Sequence, residues 1–373
     1  MSAAKFLTPQ PRATKRMRVL VLPGDGIGPE ISAAAVEVLD LVDRRLSLAL
    51  SLETQEVGLT RLNRDGTTLP PAVLQAARAA DGIVVGPISN LDYPPREHGG
   101  INISAELRTT LDLYANIRPA RSRQGLPHYG RTPIDLVIMR ENTEGFYADR
   151  NMHAGSGEWM PTPDLALSMR KISAQGSRRI AAAAFELARR RRRKVTAVHK
   201  VNVLKMTEGL FLREVRDVAK LFADVDYDEQ LVDSMAALLV RDAQRFDVVV
   251  TTNMFGDILS DEASELSGSL GLGAAINAGD AHCMAQAQHG SAPDLADQDR
   301  ANPSSLVLSA AMLLDWIART RQLERFARGA AAIEQSVDAL VKDPSTRTAD
   351  LGGPLGTRAF TAALCAQIAH RLG

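Results

Sequence analysis

Apolar residues along this chain form short continuous runs, separated by longer segments in which they recur every three or four residues. The runs rich in β-branched residues cover residues 17–22, 81–86, 134–139, 195–202 and 246–253, and a further strand is predicted near 226–231. Runs of this length are typical of strands buried on both faces, whereas the longer spacing indicates amphipathic helices. The regular alternation of the two predicts an α/β fold with a mostly parallel sheet covered on both faces.

Helices are predicted between these strands and at the end of the chain. They cover residues 31–45, 70–80, 105–113, 173–190, a segment that begins at 207, and three closing segments at 303–318, 322–342 and 357–372. The closing helices carry no convergent set of acids and bases, so we interpret them as packing elements. The first strand is followed by a glycine turn, 23–29, with G-x-G-x-G spacing. A Rossmann dinucleotide turn needs G-x-G-x-x-G, so we do not predict a Rossmann fold.

Two aspartates mark the stretch around which the chain is organised, where a strand ends at Asn253 and a helix follows from Gly256. Asp257 and Asp261 are four residues apart and therefore lie on one face of that helix, one turn apart. Like charges so placed repel unless a cation binds between them, and oxygen ligands suit Mg²⁺ or Mn²⁺. A helix N-terminus also favours acidic residues, which explains Asp257 without a metal but does not explain Asp261.

Charged residues gather at the carboxyl ends of the predicted strands, where ligands collect in open parallel sheets. Arg140, Lys200, Asp233 and Asp257 all lie at or just beyond such ends. Arg108 and Arg118 also lie near element ends. Guanidinium groups bind carboxylates in bidentate fashion, so three arginines beside paired acids indicate a site for a substrate with several carboxylates.

Composition narrows the function classes. Of 373 residues, 45% are hydrophobic and 24% charged, and Lys+Arg equals Asp+Glu at 44 each, so no global field favours nucleic acid or an anionic membrane. The basic run 189–194 ends a predicted helix, which favours a solvated C-terminus over a nucleic-acid site. Two cysteines fit a reducing cytoplasm, and no apolar run reaches membrane-spanning length. The basic residues 1–16 lack the apolar segment of a signal peptide and predict a disordered tail.

Several motifs together resemble the metal-dependent β-decarboxylating dehydrogenases, which act on isocitrate, 3-isopropylmalate, homoisocitrate, and tartrate or D-malate. The motifs are residues 22–30 (LPGDGIGPE), 140–145 (RENTEG), 199–202 (HKVN), 253–261 (NMFGDILSD) and 289–294 (HGSAPD). The resemblance covers nearly the whole chain. It implies two α/β domains that share one large, mixed, mostly parallel sheet. Residues 17–113 and 268–373 would form the cofactor-binding domain, and 114–267 the substrate, metal and dimerisation domain, with a clasp arm at about 148–169.

The resemblance also assigns roles to single residues of a homodimer with shared active sites. Tyr147 and Lys200 would be the acid/base pair, with Lys200 and the metal ligand Asp233 supplied by the neighbouring subunit. Asp257 and Asp261 would supply the other ligands of the Mg²⁺ or Mn²⁺ ion. The substrate would contact Arg108, Arg118, Arg140, Asn102, Ser104 and Asn202. The cofactor pocket would be lined by His289, Gly290, Ser291, Ala292, Asp294, Leu295 and Asn302.

In such a site the metal polarises the C–O bond of a 2-hydroxy acid and stabilises the enolate left by decarboxylation. Lys200 would take the hydroxyl proton and Tyr147 would return a proton to carbon. Asp294 stands where the family's adenosine ribose lies. A carboxylate there accepts hydrogen bonds from a ribose diol but repels a 2′-phosphate, so we expect NAD as the cofactor.

The residues just before Arg108 contact the group on C3 of the malate in this family. The isopropylmalate pattern has adjacent leucines there, whereas this chain has Asn102 and Ser104, the polar pair of the isocitrate pattern in reversed order. We therefore expect a 3-substituted (R)-malate with a polar or compact substituent, with tartrate or D-malate as the alternative.

Two further points bear on function. The chain has Gln286-Ala-Gln288 where the family commonly has Glu-Pro-Val, a departure on the nicotinamide side of the site. A non-catalytic regulatory subunit is the remaining alternative. Such subunits tend to lose acid/base or metal residues, and this chain keeps them.

Overall fold

A ten-stranded sheet runs through the protein in the computed structural model, which describes residues 16–153 and 155–373. The predicted disordered tail, residues 1–16, lies outside the described residues apart from Arg16. The strands in chain order are β1 (Met17–Leu22), β2 (Leu50–Thr54), β3 (Gly82–Val85), β4 (Ala115–Arg121), β5 (Asp135–Glu141), β6 (Glu158–Thr162), β7 (Leu165–Ser168), β8 (Lys194–His199), β9 (Asp226–Leu231), β10 (Val248–Thr251), β11 (Ala274–Ala278) and β12 (Cys283–Ala287). β6 and β7 form a separate antiparallel hairpin.

Helices cover the sheet, and the predicted ones agree with the structure to within a few residues, whereas the helix at Leu59–Asp65 was not predicted. They are α1 (Gly28–Leu46), α2 (Leu59–Asp65), α3 (Pro71–Ala79), α4 (Ile103–Thr110), α5 (Ala174–Ala188), α6 (Thr207–Ala219), α7 (Val232–Asp242), α8 (Asn253–Ser267), α9 (Ser304–Arg321), α10 (Glu324–Lys342) and α11 (Thr357–Leu372). Over the described part of the chain, no helix is long and apolar enough to cross a membrane.

The sheet order is β2-β1-β3-β12-β11-β4-β5-β10-β8-β9, and most neighbouring pairs are parallel. β11 is antiparallel to both β12 and β4, and β4 is antiparallel to β5. The predicted α/β fold with a large, mixed, mostly parallel sheet is therefore confirmed. β2, β4, β6, β7, β11 and β12 were not predicted as strands. β4 carries Pro119, and β11 and β12 are rich in alanine, which has low strand propensity.

Two large apolar clusters lie on the two halves of the sheet. One joins β1, β11 and β12 to α1, α9, α10 and α11. The other joins β5, β8 and β10 to α5 and α6, with Phe185 packing on Phe222 at 5.2 Å between ring centroids. The closing helices are therefore packing elements, as predicted.

The basic run after α5 is held by acids of the same fold. Arg189 pairs with Asp224, and Arg191 pairs with Asp135 and the buried Asp247 at 2.8 and 2.7 Å. These ion pairs tie the end of α5 to neighbouring strands. They support the structural interpretation of the run rather than a nucleic-acid surface.

The glycine turn after β1 packs against the loop that follows β12. Gly26 has a positive φ of 57°, and a Cβ there would lie 2.0 Å from the carbonyl oxygen of Ser291. The Ile27 N–H donates to that same oxygen at 2.8 Å, and the Asp25 carboxylate accepts from the Tyr93 hydroxyl at 2.5 Å. The turn thus uses its polar groups within the fold, which agrees with the rejection of a Rossmann turn.

Substituting Gly26 by alanine should destabilise the protein more than the same change at Gly66. Both residues have positive φ, which costs a non-glycine residue about 1–2 kcal/mol. Gly66 has open space around the added carbon, whereas Gly26 would force Ser291 to move. We expect Gly26→Ala to lower the free energy of unfolding by about 1–3 kcal/mol more than Gly66→Ala, measured by urea denaturation. Equal losses would contradict the close packing of these loops.

Candidate active site

Three buried arginines converge on one cavity of about 580 Å³. Arg118 comes from β4 and Arg140 from β5, which are paired so that Asn116 lies opposite Arg140. Arg108 comes from the last turn of α4. The predicted residues Asn102, Ser104, Arg108, Arg118, Arg140, Tyr147, Asp257, His289 and Gly290 all line this cavity. The antiparallel insertion in the sheet therefore brings together residues that are distant in sequence.

Arg140, Tyr147 and Asp257 form a closed hydrogen-bonded group. Arg140 Nη1 pairs with Asp257 Oδ1, and Arg140 Nη2 donates to the Tyr147 hydroxyl at 2.8 Å. The Tyr147 hydroxyl in turn donates to Asp257 Oδ2 at 2.6 Å. Gly256 permits this approach, because a Cβ there would lie 2.7 Å from the Arg140 side chain. The first turn of α8 is thereby pressed onto β5.

Burial and charge shift the pKa values of this group in opposite directions. Burial raises the pKa of Tyr147 to about 12, with Arg140 opposing and the Asp257 carboxylate adding to the shift. Burial would also raise the pKa of Asp257, but the guanidinium groups of Arg140 and Arg118 outweigh it and lower that pKa. At neutral pH the phenol is protonated and the carboxylate is ionised, so Tyr147 can supply a proton.

Asp257 and Asp261 lie on the same face of α8, with side chains 39% and 51% exposed. Arg118 Nη1 contacts one oxygen of each, at 3.1 and 3.3 Å, and Gln288 Nε2 donates to Asp261 at 2.8 Å. Two accessible carboxylates one turn apart fit a hard divalent cation, which prefers oxygen ligands. Among residues 16–153 and 155–373, no group of three His, Cys, Asp or Glu side chains is placed to hold a metal.

Lys200 and Asp233 lie together, but they are not among the residues that line this cavity. Lys200 Nζ pairs with Asp233 Oδ1 at 2.6 Å, and its backbone N–H donates to the buried Glu208 at 2.8 Å. The strand predicted over 195–202 ends at His199, so Lys200 and Asn202 lie in the turn that follows. The role of these residues in a shared site stays a prediction.

The predicted cofactor residues form the loop after β12. Ser291 is buried, with its hydroxyl 2.7 Å from that of Ser89, and Ala292 adopts a left-handed conformation with φ 38°. Asp294 is exposed. Asn302 Nδ2 donates to Asp350 Oδ2 at 2.9 Å. Leu295 ends the short turn that contains Asp294.

Sequence reasoning gave no role to three residues of the site. Arg150 lines the cavity and places its guanidinium 4.8 Å from the centroid of the Tyr147 ring. Gln286 contacts Arg108 and Ser104, and Gln288 contacts Asp261. The two glutamines are two residues apart at a strand end, and that spacing would have placed both on one side of the sheet.

The fold and the site define an α/β protein with an arginine-rich pocket for a carboxylate ligand, beside a pair of metal-type aspartates. The chain belongs to the isocitrate/isopropylmalate dehydrogenase family, whose pattern it matches over residues 18–368. The suspected resemblance to β-decarboxylating dehydrogenases is therefore confirmed.

Relatives of similar identity have different named substrates. The chain is 37% identical to the 3-isopropylmalate dehydrogenase of Saccharolobus solfataricus, over 90% of this chain and 95% of that protein. It is 40% identical to the isocitrate/homoisocitrate dehydrogenase of Thermus thermophilus, over 93% and 97%. The crystal structure of isocitrate dehydrogenase from Methylococcus capsulatus matches with a TM-score of 0.83 and 38% identity, over 94% and 99%. Overall identity therefore does not select the substrate.

Proposed function

We propose that the protein catalyses the oxidative decarboxylation of a 3-substituted (R)-malate with NAD and Mg²⁺ or Mn²⁺. The observation that carries this proposal is the convergence of Arg108, Arg118 and Arg140 with Tyr147 and Asp257 in one cavity. Buried guanidinium groups need anionic partners, and a malate supplies two carboxylates.

Each residue then has a chemical task. The arginines hold the carboxylates of the malate and so orient C2 and C3. A divalent metal at Asp257 and Asp261 would polarise the C2 oxygen and stabilise the enolate that decarboxylation leaves. Tyr147, protonated at neutral pH, returns a proton to C3, and Lys200 accepts the proton of the C2 hydroxyl.

The proposal includes a homodimer in which Lys200, Asn202 and Asp233 complete the site of the other subunit. Exposed apolar side chains near these residues support an interface, since Met206 is 86%, Val203 65% and Ile258 61% exposed. The hairpin β6–β7, inside the proposed clasp arm 148–169, has every strand residue exposed. A two-stranded hairpin is marginal in water unless another element packs on it.

We also propose the domain division and the location of the protein. Residues 17–113 and 268–373 form the cofactor half and 114–267 the substrate half, in agreement with the two apolar clusters. Cys283 and Cys365 are free thiols, which fits a reducing cytoplasm.

The preference for NAD is assigned to Asp294. Asp294→Asn should lower the ratio of kcat/KM with NAD to that with NADP by about tenfold, because the amide no longer repels a 2′-phosphate and accepts less strongly from the ribose. Asp297→Asn makes the same change in charge on the same loop and should leave the ratio unchanged. An unchanged ratio in Asp294→Asn would remove this residue from cofactor selection.

One assay tests the function as a whole. The protein is given Mn²⁺, NAD or NADP, and in turn isocitrate, homoisocitrate, 3-isopropylmalate, D-malate and tartrate, and NADH or NADPH formation is followed. We expect NADH with a 3-substituted malate. Turnover of only tartrate or D-malate would favour the alternative reaction. No reduction of NAD or NADP with any of these acids would contradict the enzymatic proposal and favour a regulatory subunit.

A further inference from the structure

Gln286 connects Arg108 and Ser104 in the wall of the cavity. Its Oε1 accepts from Arg108 Nη2 at 3.1 Å, and its Nε2 donates to Ser104 Oγ at 2.7 Å. All three side chains are buried and line the cavity. Gln286 lies near the end of β12, and Ser104 and Arg108 lie one turn apart on α4.

The chemistry of these groups fixes the direction of each hydrogen bond. A guanidinium group only donates, so the oxygen of the Gln286 amide must face Arg108. The amide nitrogen must then face Ser104, whose oxygen accepts. The Ser104 hydroxyl proton has no acceptor among the residues that the structure describes, and so it is free to donate to a ligand in the cavity.

The charge in this part of the cavity also favours a ligand that accepts hydrogen bonds. Gln286 is neutral, and in the described part of the chain Arg108 forms no ion pair, while its Nε is buried without a partner. A buried guanidinium and a free hydroxyl donor, held by one amide, favour a group that accepts hydrogen bonds and carries negative charge.

We propose that Gln286 is a specificity-determining positioning residue, which orients Ser104 as a donor so that the site selects a C3 substituent bearing a carboxylate over a branched alkyl group. The inference rests on the proposed function for the placement of the C3 group beside Ser104. It goes beyond it by naming the residue that selects the substituent and the direction of the hydrogen bond.

Substitutions at Gln286 and Ser104 test this relay, in which Gln286 orients the Ser104 hydroxyl as a donor. The test measures binding rather than turnover. Full-length protein with Mn²⁺ and no NAD is titrated calorimetrically with isocitrate, whose C3 group is carboxymethyl, and with 3-isopropylmalate. Wild type should bind isocitrate more tightly. Ser104→Ala removes the donor and should weaken isocitrate binding about 10- to 100-fold while changing 3-isopropylmalate binding less than threefold or so.

Gln286→Glu should lower the isocitrate preference as well, because a carboxylate accepts the Ser104 proton and pairs with Arg108. If Gln286 acts through Ser104, the double variant should have the same preference as Ser104→Ala. Gln335→Glu is the matched control, since Gln335 also accepts from an arginine, Arg371, at an exposed position. It should leave both affinities unchanged. Thermal unfolding checks that every variant is folded.

The outcomes separate this inference from the proposed function. Loss of the isocitrate preference in both Ser104→Ala and Gln286→Glu supports the relay. If the wild type then forms no NADH, only the proposed reaction fails. Tighter binding of 3-isopropylmalate by wild type, binding of neither acid, or a preference that Gln286→Glu leaves unchanged would overturn the relay, whether or not NADH forms.

Discussion

Replacing Lys200 by methionine should lower kcat about 100- to 10,000-fold, the usual contribution of a positioned general base. Methionine keeps the length of the side chain but cannot take the hydroxyl proton. Malate binding should change less than kcat, because the substitution leaves intact Arg108, Arg118 and Arg140, which hold the carboxylates in the proposed site. Lys205→Met, in the exposed part of the same turn, is the matched control and should keep wild-type kcat. Turnover of Lys200→Met at the control rate would exclude Lys200 as the base.

Mixed dimers test whether Lys200 acts in the site of the partner. In a dimer of one Lys200→Met chain and one Asp257→Asn chain, one site receives an intact Asp257 and an intact Lys200 from different subunits. Random reassociation of two inactive variants should then restore about a quarter of the wild-type activity. If each site is built from one chain, the mixture stays inactive.

Replacing Asp257 by asparagine should reduce kcat/KM about a thousandfold, because the metal contributes several kcal/mol to charge stabilisation. The pKa of Asp257 is lowered by Arg140 and Arg118 against the effect of burial, so the carboxylate is ionised at neutral pH and is a ready ligand. Mn²⁺ affinity, measured by the electron paramagnetic resonance signal of free Mn²⁺, should fall with the activity.

Glu262→Gln is the control for this change, because Glu262 directly follows Asp261 in α8. Burial raises the pKa of Glu262 to about 6, and we assign it no metal role. Its substitution should leave Mn²⁺ affinity unchanged. Asp261→Asn should weaken Mn²⁺ binding as Asp257→Asn does, without removing a partner of buried Arg140. Wild-type Mn²⁺ affinity in both aspartate variants would exclude the metal site.

The coupling between metal binding and malate binding gives a further test without mutation. The paired carboxylates Asp257 and Asp261 lie beside Arg118, whose guanidinium contacts both. A cation bound by both carboxylates would compete with this contact, and the released guanidinium would become available to the substrate. Metal and malate binding should for that reason strengthen each other, which calorimetry of each in the presence of the other would measure.

The amino-acid sequence by itself determined the α/β class, most helices and most of the parallel strands, because buried β-branched runs and helical spacing are local signals. It also marked Asp257 and Asp261 as a pair, since their spacing alone places them on one helix face. The motif resemblance identified the family, which the comparisons confirm.

Only the tertiary structure decided how the centre of the sheet is built. β4, β11 and β12 carry alanine, proline and arginine rather than β-branched runs, so their strand character comes from pairing and not from propensity. Their antiparallel insertion places Arg118 and Arg140 on one cavity with Arg108. The hydrogen bond from Gln286 to Ser104 likewise joins residues 182 positions apart in sequence, a contact that no local pattern encodes.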